Sequence, residues 1–117
     1  MPATLPEPMR LQMPTDRLIL ETLLEGRNLA ANIAARIDRS RNYINQRMGQ
    51  LTDYGLVDKV GPVEGTGLYE LTPKGGAVLV LADQYDEADD FDALVEKRTP
   101  NIEIRPPQLV DHSSESE

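Results

Sequence analysis

From Pro14 onward the apolar positions fall into blocks whose period changes from helical to alternating and back. Leu20, Leu23 and Leu24, with Leu18 or Ile19, share one helical face, and Gly26 stops that run. Pro14 suits a first-turn position, and Asp16 complements the positive end of the helix dipole. A second helix is predicted after Asn28, a good N-cap, with Leu29, Ile33 and Ile37 at four-residue spacing. Ala30 and Ala34 beside them leave room for a close helix crossing. Ser40 caps a third helix in which Ile44, Met48 and Leu51 fall at i, i+4 and i+7, and Gly55 ends it. Between these two helices Asp38 takes the turn position, and aspartate tolerates a left-handed backbone better than most residues.

The pattern then alternates. Leu56, Val57 and Val60 read as a short strand, 61–67 as a glycine-rich turn, and Leu68 to Leu71 as the returning strand. Thr72 and Pro73 open a fourth helix, whose segment 77–82 is apolar on every side and must be covered from more than one direction. A second copy of the chain is the expected cover, through Val78, Leu79, Leu81, Ala82 and Tyr85. The alternative is burial by the strands and a further helix around Phe91, Leu94 and Val95. The pattern divides the chain into a mobile leader (1–12), one domain (13–85), an acidic connector with a short helix (86–98) and a disordered acidic tail (99–117). The fold class is α+β, mostly α.

Charge sharpens this division. The net charge is −8, yet residues 10–76 hold nine basic and eight acidic residues, while 77–117 hold three and eleven. Five arginines and one acid fall within 27–47. Basic character is therefore concentrated on the second and third helices. Arginine outnumbers lysine nine to three. An acidic, lysine-poor surface fits a halophilic protein that stays hydrated in concentrated salt; the competing reading is a simple acidic C-terminal tail. The absence of cysteine excludes disulfides and thiolate metal sites, and the single His112 reads as a surface residue, so no metal or cofactor is expected. No apolar run is long enough for a bilayer and MPATLPEP lacks a signal pattern, so a cytoplasmic location is expected.

The third helix carries the chemistry. Opposite its apolar stripe lie Asn42, Gln46, Gly49 and Gln50, edged by Arg39 and Asn45. Solvated helix faces are usually rich in Glu and Lys; amides and arginine instead match base edges in the DNA major groove, at ~1–3 kcal/mol of discrimination for each good pair. Asn42 and Gln46, with Arg41 or Asn45, are the expected base readers. Ser40, Arg39 and the start of the second helix would hold phosphates. Tyr43 and Arg47 flank this face and can equally pack or ion-pair within the chain. Gly49 costs ~1 kcal/mol of helix propensity, which calls for a reason.

The stretch IDRSRNYINQRMGQLTDYGLV, followed by the glycine-rich hairpin and Leu68-Tyr69-Glu70-Leu71-Thr72-Pro73-Lys74-Gly75, resembles the winged helix–turn–helix regulators. It is most similar to small haloarchaeal winged-helix proteins related to the phage phi-H repressor. The resemblance covers about 14–85 and departs at Asp38 and Arg39, where the general pattern has glycine and an apolar residue. It implies a two-stranded wing, a C-terminal helix and repressor-type regulation. The wing tip has Glu64 and no cation, so a phosphate contact there falls to backbone N–H groups of Gly65, Thr66 and Gly67.

The expected function is sequence-specific binding of double-stranded DNA as a homodimer on an inverted-repeat operator. The alternative is a winged-helix protein-binding module that uses the acidic segment 83–92. An enzyme is disfavoured: no histidine, cysteine or phosphate loop joins the carboxylates into a catalytic site.

Overall fold

The computed structural model describes residues 8–61 and 67–113. Within them lie five α-helices and two small antiparallel sheets. Helix α1 (Thr15–Leu24) is followed by a two-residue strand β1 (Asn28–Leu29), then α2 (Ala30–Ile37) and α3 (Arg41–Asp53). Strands β2 (Val57–Val60) and β3 (Leu68–Leu71) follow, then α4 (Pro73–Leu81), a 3-10 turn, α5 (Phe91–Arg98) and a second hairpin, β4 (Ile102–Arg105) and β5 (Gln108–Asp111).

Local chemistry sets the boundaries. Asp38 takes the left-handed conformation (φ 58°, ψ 56°) between α2 and α3. Ser40 Oγ accepts from the Tyr43 amide and Thr72 Oγ1 from the Gly75 amide, each satisfying a donor that the first helical turn leaves open. Asn28 does not cap α2. It pairs with Tyr69 in β1, and its Oδ1 accepts from the Leu29 amide and the Asn32 side chain. Sheet order is β1-β3-β2, with Val57 opposite Leu71 and Val60 opposite Leu68. A two-residue strand has no periodicity to read, so only the partner strand reveals it.

Ile44, Met48 and Leu51 of α3 are wholly buried against Ile33 of α2 and the α1 face Ile19, Leu20 and Leu23. Each such side chain is worth about 1.5–3 kcal/mol relative to exposure. Helix α4 lies at the centre, touching α1, α5 and β4.

That position corrects two expectations. Val78, Leu81 and Ala82 are buried by the chain itself, and Leu79 and Tyr85 pack half-buried on the same core. Helix α5, through Phe91 and Val95, and the β4–β5 hairpin cover these positions, while Val80 of the same helix as Val78 stays exposed. The hairpin is the second correction, because 99–113 is folded, not disordered. Ile102 is buried, Ile104 and Leu109 pack on the core, and Gly76 gives them their seat. Pro106 and Pro107 sit in the hairpin's turn, where neither strand needs their amide. The leader is likewise part of the fold from Met9 onward, with Met9 and Leu11 in the core. Residues 1–7 and 114–117 lie outside the described residues. Among those described, no helix is long and apolar enough to cross a membrane.

Candidate nucleic-acid interface

Helix α3 presents three different sides. One is the buried line of Ile44, Met48 and Leu51. The second is open: Arg41, Asn42, Asn45, Gln46 and Gly49 are all exposed, and Gln50 is half-buried at the border. No ion pair among the described residues involves Arg41. Gly49 is set in ordinary helix, and a Cβ built there would meet nothing within 4 Å. Neither packing nor backbone conformation therefore requires a glycine at that position.

The third side departs from the expected surface. Arg47 is buried, with Nε 2.9 Å from Asp16 Oδ1 and Nη2 2.7 Å from Oδ2, a two-point fork onto a carboxylate with no exposure. Hydrogen bonds donated to Asp16 hold the guanidinium in its charged form against the burial that opposes it, raising its pKa further. Arg47 is thus a structural cation and leaves the set of surface contacts. Tyr43 also turns away from the open face and gives its hydroxyl proton to the Gln12 side chain. Arg39 folds back onto its own turn, with Nη1 2.9 Å from the Ile37 carbonyl and Nε 3.3 Å from Thr15 Oγ1. It stiffens the connection between α2 and α3. Ser40 uses its hydroxyl as the cap, although its exposed position at the start of α3 keeps it beside the open face.

Asp16 and Arg47 are what sequence reasoning missed. Arg47 follows Gln46 and precedes Met48, so it lies at the edge of the buried line, and the acid that meets it is 31 residues away. Met9 and Leu11 alternate in the leader, and that spacing is the one local signal that it joins the core.

The surroundings of the open face are only weakly cationic. Arg27 pairs with Glu70, and Arg36 with Glu25. The start of α2 has no side-chain cap. Of the expected hairpin contacts, Gly67 is described, at φ 68°, while Gly65 and Thr66 lie outside the described residues. No group of His, Cys, Asp or Glu among the described residues could hold a metal ion. Chemically, the open face offers side-chain amides that donate and accept together, one free guanidinium and a gap at Gly49 where another backbone can approach. No protein-family model matches the chain, and no curated protein or solved structure matches it.

Proposed function

We propose that the protein is a winged helix–turn–helix regulator that reads the major groove of double-stranded DNA with α3, in the repressor sense that its sequence resemblance implies. The order of three helices, hairpin and helix supports the winged-helix reading. One observation carries the DNA reading: Arg41, Asn42, Asn45 and Gln46 lie exposed on one side of α3, beside a glycine that the chain's own packing does not need. Thirteen residues give a helix about 20 Å long, which fits a groove about 12 Å wide. Asn42 and Gln46 would pair with adenine and Arg41 with guanine. Ser40 and the free amides at the start of α2 would meet phosphates.

The pairing of Arg17, Arg27, Arg36, Arg98 and Arg105 with carboxylates leaves few cations for phosphate. Binding then depends mainly on base contacts and loses little affinity with salt. Gel shifts on duplexes selected from a random pool, from low to molar KCl, test both points. Enrichment with a shallow salt slope is expected, and an Arg41→Ala, Asn42→Ala, Gln46→Ala variant should lose it while staying folded. No enrichment by the wild type at any salt rejects the reading.

A further inference from the structure

Residues 9–12 form no helix or strand, yet four successive backbone N–H groups there donate to side chains from four parts of the fold. Met9 donates to the Asp92 carboxylate of α5 (3.0 and 3.2 Å), and Arg10 to Tyr54 Oη at the end of α3 (2.9 Å). Leu11 donates to Tyr85 Oη beyond α4 (3.0 Å), and Gln12 to Asp16 Oδ2 of α1 (2.8 Å). In return α3 and its C-cap Tyr54 grip this strap by three side chains. Tyr43 donates to the Gln12 amide oxygen, Arg47 Nη2 to the Arg10 carbonyl (3.3 Å), and Tyr54 accepts from Arg10. Positions 43, 47 and 54 fall at i, i+4 and i+11, on one line between the buried side of α3 and its open side.

That placement decides what the strap can do. Apolar packing is not directional, so Ile44, Met48 and Leu51 set how deep α3 sits but only loosely its rotation about its own axis. A fork from Arg47 onto Asp16 is directional, as are hydroxyl contacts on the same line. Rotation about this axis is the movement that shifts Asn42 and Gln46 relative to a row of bases.

We propose that the 9–12 strap and Asp16 are positioning elements that fix the rotation of α3 and thereby set its discrimination between bases. This rests on the DNA reading above. The test is an Asp16→Leu, Arg47→Met variant, in which apolar groups replace the buried pair without leaving a lone charge. Two quantities are compared with wild type: amide residual dipolar couplings of α3 relative to α1 and α4, and the affinity ratio between the selected duplex and single-base changes of it. The expected result is a folded variant with rotated α3 couplings and a ratio reduced about tenfold. Unchanged couplings and an unchanged ratio overturn the proposal, since a merely structural pair would move only the melting temperature. If that variant does not fold, Gln12→Ala with Tyr54→Phe removes two exposed strap contacts, and the same outcomes apply. A wild type that enriches no duplex defeats the DNA reading alone, because the couplings still decide whether the strap positions α3.

Discussion

Gly49 and Asp16 make opposite demands at the scale of single residues. Gly49 is exposed in mid-helix, and added side-chain atoms would touch nothing in the chain. Gly49→Ala should therefore stabilise the protein by about 1 kcal/mol through helix propensity. If α3 approaches DNA closely there, the same substitution should weaken duplex binding. Melting and gel shift on one sample check this, and tighter or equal binding by the alanine variant would remove Gly49 from the interface. Asp16 is buried with Arg47 as its partner, so Asp16→Ala strands a buried guanidinium. The expected loss is about 3–5 kcal/mol, read by urea denaturation. A loss within the range of ordinary surface substitutions, about 0.5 kcal/mol, would contradict the pairing.

At the scale of elements, the two glycines opening α4 separate what is rigid from what can move. A Cβ on Gly75 would lie 2.2 Å from the Leu56 carbonyl oxygen, which is backbone and cannot yield cheaply. A Cβ on Gly76 would meet side chains alone: Ile104 Cδ1 at 2.6 Å, Ile102 Cγ2 at 2.8 Å and Leu109 Cδ1 at 3.3 Å. Gly75→Ala should then cost global stability, at the upper end of the about 1–3 kcal/mol typical of overpacking. Gly76→Ala should loosen the β4–β5 hairpin and leave α1–α3 intact. Amide exchange resolved by residue checks this, and equal loss of protection in both regions would contradict it.

The hairpin also has its own dependence on pH. The His112 hydrogen bond, then Arg105, hold the Glu103 carboxyl below its ordinary 4.5. Burial pushes Asp111 up, but bonds from Ser113 and Arg98 outweigh it and leave it below 3.8. Folded values lowered in this way mean stabilisation that is present above the ordinary carboxylate range and lost as pH falls through the folded values. Acidification below about pH 4 should release β4–β5 before α3 opens. Loss of protection in both at the same pH would refute that order.

Elements differ in how legible they were. Helices α1 to α4 and the β2–β3 pair follow from periodicity, caps and turn residues that act within a few positions. Apart from the Gln12–Asp16 bond, strand β1, the Asp16–Arg47 fork and the 9–12 strap depend on partners 31 to 83 residues away, which no local pattern records. The tail expected to be disordered carries Pro106 and Pro107, and proline marks a hairpin turn as readily as disorder. Of the candidate site, the open amide face of α3 was legible, since its residues lie opposite a clear apolar line. The inward turn of Arg47, Tyr43 and Arg39 was not, because an arginine or tyrosine at the edge of a face can serve either side.

At the scale of the whole molecule, each chain offers one α3, and Val78, Leu81 and Ala82, expected to join two copies, are buried in the core. An inverted-repeat operator would need a contact surface other than Val78, Leu81 and Ala82. On the proposed DNA reading, the open face of α3 would carry specificity within a single chain, and Gln46 is its most direct probe. Selection of bound duplexes by the wild type and by Gln46→Ala should give two preference profiles that differ at one base position per α3, relaxed in the variant, with the other positions unchanged. Profiles that coincide, or that weaken uniformly at every position, would contradict base reading by this helix.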